Sequence, residues 1–280
     1  MKVGIITSSV SCLPHGLVQK YGIRVVPLPF MLDGHSYLDG IDISATEVYQ
    51  QLAYELPFRT SAPSPAAYLR AYNEILESCD AALCLTIPAN LSMMYNAALQ
   101  AAKEIPKNKT VHVIDTGTAA GGEALIDVAV AQAASAGADL MQLKKLTLEL
   151  EDKVHLYGLI VSPKYLARIG RVPAPLPSAA SALSLKPIFT IAHGGVKLAG
   201  VARSEKSGMD RIISMMHSRA AESPISIIIQ HANAPQEAQT LRELVEAECN
   251  CVELYVTEFS PIIGFATGPG SLAIAFRVHK

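Results

Sequence analysis

Uncharged polar chemistry is concentrated in Thr60-Ser61-Ala62-Pro63-Ser64-Pro65, three hydroxyls and two prolines just ahead of the apolar-periodic run Ala66 to Ser78. Ser64 stands where a helix N-cap belongs and Pro65 where the first helical residue belongs, so the stretch predicts a rigid turn that launches a helix. Thr60 and Ser61 precede that turn. Each hydroxyl donates one hydrogen bond and accepts others without carrying charge. The pair could therefore hold a carboxylate or phosphate beside the helix start, where backbone N–H groups point outward. Capping alone accounts for the same pattern, and both readings stand at this point.

Two other loops offer similar groups. Lys2 to Thr7 is a short apolar strand followed by Thr7-Ser8-Ser9-Val10-Ser11 and a helix-like stretch from Pro14 to Tyr21. Asp80 to Ile87 is almost free of polar residues, as a buried parallel strand should be, and it leads through Pro88-Ala89-Asn90-Leu91-Ser92 into the strongly helical Met93 to Ala102. Ser8, Ser9 and Ser92 thus lie between a strand's carboxyl end and a helix start, the edge at which open α/β sheets hold their ligands. Loop polarity or an N-cap is the alternative for each.

The elements that must position these hydroxyls alternate. Gly22 to Leu32 reads as a second strand, edge-like because of its prolines. Asp33-Gly34 and Asp39-Gly40 mark tight turns, and Asp33, Asp39 and Asp42 fail the spacing of a calcium loop. Ser44-Ala45-Thr46-Glu47 is a capping box for a helix to about Tyr54. Tyr68, Leu69, Tyr72, Ile75 and Leu76 form an apolar stripe on the helix after Pro65. A strand at Thr110 to Asp115, a small-residue helix at Thr116 to Ala136 and an amphipathic helix at Asp139 to Asp152 complete a βαβα pattern. From His155 the pattern changes. A hairpin around His193-Gly194-Gly195, helices at Lys206 to Ser223 and Pro235 to Cys249 (capped near Asn233), and strands at Leu156 to Val161, Ile225 to His231, Val252 to Glu258 and Ser271 to Val278 predict a mixed sheet. The expectation is an α/β fold of two domains. Residues 1–160 form an N-terminal three-layer α/β/α domain with a parallel doubly wound sheet, and residues 161–280 a C-terminal α/β domain with a mixed sheet.

Composition excludes several classes. Half of the residues are apolar and 17% charged, with 23 Lys and Arg against 25 Asp and Glu and no Trp. Mean hydropathy is +0.28 and the pI is near 6.4, so there is no basic footprint for nucleic acid, while the apolar content predicts a hidden cavity or interface. No uncharged apolar run reaches the roughly 18 residues of a membrane span. The first seven residues are too quickly polar for a signal peptide, and five scattered cysteines read as reduced thiols, so a cytoplasmic location is expected. Cys249-Asn250-Cys251 lacks zinc-site spacing, so no metal is expected. No cofactor is expected either: Gly-x-Gly-x-x-Gly is missing, and Glu205 replaces the glycine that a phosphate-binding loop needs before Lys206-Ser207. No Gly-x-Ser-x-Gly elbow occurs, so no catalytic residue is assigned. A hydrolase, or a phosphate or sugar-phosphate binder using the same hydroxyls, is the rival reading.

Eight segments together resemble the DegV family in order and spacing: Ile5-Ile6-Thr7-Ser8-Ser9, Asp33-Gly34…Tyr37…Asp39-Gly40…Asp42-Ile43-Ser44, Thr60-Ser61-x-Pro63-Ser64, Leu91-Ser92-x-x-Tyr95, Val113-Ile114-Asp115, Gly170-Arg171, Lys186-Pro187-Ile188 and Gly264-x-x-x-Gly268-Pro269-Gly270. The resemblance spans the chain. It implies a non-catalytic two-domain α/β carrier that binds a long-chain fatty acid between its domains and, in many members, presents the carboxylate to a separate fatty-acid kinase. It implies further that Thr60, Ser61 and Ser92 hold the carboxylate, with Arg171 close to the mouth and Arg203 on the face toward the kinase. Two departures stand out. Thr7-Ser8-Ser9 replaces the family's usual Thr-Asp-Ser, and Phe265-Ala266 replaces a usual Thr-His pair. Both remove groups with charge or acid–base character near the head-group end, which bears on phosphoryl transfer more than on binding.

Overall fold

The computed structural model describes residues 1–52, 56–161, 165 and 185–279. The apolar start of the chain forms β1 (Val3–Ser8), buried at every residue. Helix α1 (His15–Tyr21) then returns the chain to β2 (Arg24–Val26), which pairs parallel to β1. The single strand expected over Gly22 to Leu32 divides in two. Pro27 has no N–H for a ladder, the N–H of Leu28 donates to Ser9 Oγ at 3.1 Å, and the chain leaves the sheet as β3 (Pro29–Leu32). Strand β4 (His35–Leu38) pairs back on β3 through Asp33 and Gly34, whose positive φ values of 49° and 79° are those an Asp-Gly hairpin turn adopts. Helix α2 (Ala45–Leu52) starts in the expected capping box, Glu47 N–H to Ser44 Oγ at 3.2 Å and Ser44 N–H to Glu47 Oε2 at 3.0 Å. Strand β5 (Phe58–Thr60), for which the sequence analysis names no element, then pairs with the other side of β3.

Helix α3 (Pro65–Leu76) begins as the Ser-Pro pair predicts, with Ser64 Oγ accepting the Ala67 N–H at 3.3 Å. Strand β6 (Ala81–Thr86), helix α4 (Met94–Ala102) and strand β7 (Thr110–Asp115) complete an all-parallel sheet of order β2-β1-β6-β7. This is the doubly wound arrangement expected, and strand order reverses between β1 and β6. Alternate residues of β6 face opposite ways. Ala82 and Cys84 pack with α3 and α4, while Ala81, Leu83 and Leu85 pack on α5 (Gly121–Ser135) and α6 (Leu140–Glu151). Helix α5 starts later than Thr116 because that residue's N–H and hydroxyl both go to Thr86 O at 3.0 Å, and Gly117 and Ala120 take positive φ.

The second sheet comprises β8 (Val154–Leu159), β9 (Lys186–Ala192), β10 (Gly195–Ala202), β11 (Ile225–His231), β12 (Cys251–Glu258) and β13 (Leu272–Val278), in the order β10-β9-β8-β13-β11-β12. It is mixed, with β11 and β12 parallel and the other neighbours antiparallel. Strand β8, which precedes residue 160, hydrogen-bonds wholly within this sheet. Helices α7 (Glu205–Ala220) and α8 (Pro235–Glu248) cover its outer face on Ile227, Ile229, Ile274 and Phe276. The N-cap of α8 is Ala234 rather than Asn233, and its N–H donates to His231 Nδ1 at 3.4 Å. The inner face, with Ile228, Ala273 and Ala275, packs on α5, so α5 lies between the two sheets and one core runs through it. The approach is close because a Cβ added at Gly121 would lie 3.0 Å from that of Ala275. A final short helix, α9 (Pro261–Thr267), packs on α2.

Candidate functional site

Because all strands of the first sheet point one way, the loops after β1, β6 and β7 leave at one edge. Ser8 ends β1 with its side chain buried and its hydroxyl without a partner among the described residues. Ser9 is half-buried, its Oγ occupied by the Leu28 N–H. One residue further on, the N–H of Ser61 donates to Pro29 O at 3.2 Å, and Thr60 pairs with Phe30. The hydroxyl turn is thereby tied through residues 28–30 to the loop after β1, with Thr60 and Ser61 exposed. Ser92 is half-buried. Its Oγ accepts the Met94 N–H at 3.4 Å, but the helix N-cap by backbone geometry is Met93, which makes no side-chain cap. The loop that carries Ser92 is fixed by Asp115, which accepts the Ala89 and Gly117 N–H groups at 2.9 Å each. Arg171 lies outside the described residues, and Arg203 is exposed next to Ser204, the N-cap of α7.

The second half of the chain supplies apolar neighbours. Ile262 and Ile263 of α9 and Ile191 of β9 pack against the cores on both faces of the parallel sheet. Phe265 stacks on Phe58 with centroids 4.3 Å apart, Phe58 on Phe30 at 5.1 Å, and Phe30 on Tyr37 at 5.5 Å. These rings bind α9 to β5, the strand that ends at Thr60, and set half-buried Ala266 beside it. The turn between β9 and β10 leans on the same edge: Gly194 N–H donates to Gly117 O at 3.0 Å, and a Cβ there would be 3.6 Å from Pro88. An edge with hydroxyls on one side and isoleucine and phenylalanine on the other can take an amphiphile with an acidic head.

Several acidic groups here were not singled out from sequence. Asp39, read as turn chemistry, is only 4% exposed. Its carboxyl is raised by burial against hydrogen bonds from Ser9 and Ser260. Cys12 Sγ accepts the Ser260 N–H at 3.1 Å, and burial pushes the thiol up to about 12, so it is no nucleophile. On α5 both Glu123 and Asp127 are fully buried. The Thr7 hydroxyl donates to Asp127 Oδ2 at 2.7 Å, and burial still raises that acid to about 8. Glu123 is held well above the usual carboxylate range by burial and by the nearby Asp127 and Asp115. The available signal was a helix apolar on every side with two acids four residues apart. Among the described residues no histidine hydrogen-bonds Ser8 or Ser92, which a hydrolase using either serine would require.

A family model described as "Uncharacterised protein, DegV family" matches residues 2–279. The chain belongs to the DegV family. A DegV domain-containing protein of Streptomyces coelicolor is 30% identical over 97% of both chains. A solved structure from Thermus thermophilus, described as "Fatty Acid Binding of a DegV family Protein", is 29% identical with a TM-score of 0.92 and covers 100% of both chains. A DegV lipid binding protein from Thermotoga maritima, 24% identical with a TM-score of 0.91 over 100% of this chain and 99% of that one, shares the fold. Among the described residues no helix is long and apolar enough to cross a membrane.

Proposed function

We propose that this DegV-family chain binds a long-chain fatty acid, with the carboxylate held by Thr60, Ser61 and Ser92 and the acyl chain directed inward between the two sheets. The observation that carries this reading is the tie between the hydroxyl turn and the loop after β1, at the edge where strand order reverses and from which the loop after β6 also leaves. Apolar residues of α9 and β9 stand beside that edge. The Thermus relative described as fatty-acid binding supports the ligand class.

The physics is consistent with such a ligand. About 15 methylenes leaving water gain roughly 12 kcal/mol at ~0.8 per CH₂, from which association and ordering costs are subtracted. A carboxylate taken into such a pocket costs several kcal/mol unless it is hydrogen-bonded, and neutral hydroxyls beside a helix start supply those bonds without a counter-charge. In this reading Ser8 and Ser9 line the inner edge and Arg171 stands at the mouth. The chain acts as a cytoplasmic carrier without chemistry of its own. Arg203 lies on the face offered to a fatty-acid kinase, and the exchange of acid–base groups for Ser8 and Ala266 is expected to affect that transfer more than binding. Native mass spectrometry of the purified protein, followed by denaturation and organic extraction, tests the proposal. A stoichiometric fatty acid is expected, and an empty protein that also refuses added fatty acid would overturn it.

A further inference from the structure

The mixed sheet has a second face, turned away from α5. Residues of β8 alternate: Val154 and Leu156 belong to the core around α5, Tyr157 and Leu159 to the core under α7. His155, two residues before Tyr157, shares the outer face, and its ring lies 5.1 Å from that of Phe276. Register carries this face across three strands, since Tyr157 pairs with Thr190 and Thr190 with Lys197. At the Leu159 end α7 closes the face so tightly that a Cβ on Gly208 would meet Leu159 at 2.6 Å. Toward His155 the face stays open.

A cleft of about 590 Å³ remains there, a size common among small-molecule sites. His155, Tyr157 and Thr190 line it together with Lys197 of β10, Ser218 and Arg219 of the last turn of α7, and Glu151 and Asp152 from the end of α6. Among the described residues Lys197, Arg219 and Asp152 make no side-chain hydrogen bond or ion pair, whereas Glu151 faces His193 at 3.8 Å. His155 is held neutral near pH 7 by burial and by Arg219. The end of α7 carries about half a negative charge, which the full charges of Lys197 and Arg219 exceed.

The charges are also separated. Asp152 precedes β8, while Lys197 lies on β10, two strand spacings or roughly 10 Å away. A phosphate has only acceptor oxygens and matches Lys and Arg donors. A carboxylate accepts from a diol, as acidic residues do from ribose. The hydroxyls of Thr190 and Ser218 serve the polar body between them. We propose that this cleft is a second ligand site, for a phosphorylated polyol of sugar-phosphate or nucleotide size, with its phosphate on Lys197 and Arg219 and its diol on Asp152. The site is independent of the fatty-acid reading, because none of these side chains is placed on the acyl ligand.

Titration calorimetry of the full-length protein at low salt, with ribose 5-phosphate, AMP, inorganic phosphate and ribose as probes, tests the proposal. At least one of the two phosphorylated polyols is expected to bind below about 1 mM and more tightly than inorganic phosphate or ribose. AMP as the tighter of the two identifies a nucleotide, and ribose 5-phosphate a free sugar phosphate. Lys197→Ala and Arg219→Ala, both at exposed positions, should each weaken that binding about tenfold or more. Asp152→Asn should weaken the phosphorylated polyol while inorganic phosphate binds no more weakly than before. Binding of neither phosphorylated polyol, ribose as tight as its phosphate, or an affinity that survives the Lys197→Ala, Arg219→Ala double variant overturns this site and leaves the fatty-acid reading standing.

Discussion

Both sheets have buried central strands, β1 and β6 in one and β11 and β13 in the other, and differ in where their loops go. In β2-β1-β6-β7 every neighbour is parallel, so the loops after β1, β6 and β7 emerge together and bring Ser8, Ser9, Ser92 and Asp115 to one edge. In the second sheet direction reverses at every neighbour from β11 through β13, β8 and β9 to β10, leaving β11 and β12 as the one neighbouring parallel pair. The loops after that pair launch α8 and α9, and α9 carries isoleucine and phenylalanine toward the first sheet. Strand direction thus sorts the chemistry: the parallel half contributes hydroxyls and the mixed half contributes apolar wall.

The sharpest test of how separate these halves are is their shared core. Leu83→Ala in β6 and Ile228→Ala in β11, both fully buried, should each cost about 2–5 kcal/mol. Each should lower a single urea transition followed by two probes, and two separable transitions would show that α5 does not join the sheets energetically.

Acid and alkaline stability should divide between the halves. Asp127 on α5 has its acid raised by burial from 3.8 to about 8, so its contribution is complete at the acid end and is lost as pH rises through that window. His155 on β8 is pushed down from 6.5 to about 4 by burial and by Arg219, so its contribution is lost as pH falls through that range. Thermal unfolding between pH 4 and 8 should lose its alkaline limb in the Glu123→Gln, Asp127→Asn double variant. It should lose part of its acid limb in His155→Phe, which keeps the ring beside Phe276. Effects of opposite assignment would contradict the burial seen here.

Binding should be sensitive at the hydroxyl edge and not in the mixed sheet. Thr60→Ala or Ser92→Ala is expected to weaken fatty-acid affinity by about 1–3 kcal/mol without unfolding the protein. Ser226→Ala on β11, where the hydroxyl donates to Glu253 at 3.1 Å, should leave the affinity unchanged. Equal losses at Ser92 and Ser226, measured by titration with the same acid, would erase the distinction between that edge and the mixed sheet.

The smallest contrast lies between two Ser-Pro helix starts. Ser64→Ala should cost about 0.5–2 kcal/mol as a lost cap. Ser260→Ala should cost more in the same denaturation assay, because Ser260 both caps α9 and hydrogen-bonds the buried Asp39.

Those two starts also illustrate what could be read in advance. Ser64-Pro65 was legible because an apolar stripe of helical period follows it. Ser260-Pro261 carries the same signal, yet Gly264 in the middle of seven residues masks the helix that follows. Gly264 is tolerated because its missing side chain makes room for Tyr49, whose hydroxyl donates to Phe259 O at 2.9 Å. Pro27 likewise announced a break without saying that the chain would resume in another sheet. The acids on α5 were visible as residue types, but their burial follows from a second sheet folding over the helix.

What the sequence by itself determined is therefore local or comparative: the caps at Ser44 and Ser64, the Asp-Gly turn, the almost wholly apolar β6, the alternation that makes an α/β fold, and the family resemblance. Each rests on groups within a few residues of one another, where backbone sterics and side-chain chemistry suffice. Only the tertiary structure decided that Ser9 would meet Leu28 and that Ser61 would hang from Pro29. It also decided that Glu123 would be buried on α5 between two sheets, with no hydrogen-bond partner among the described residues. These depend on ladder pairing between distant segments and on the burial that pairing imposes, which no local pattern encodes.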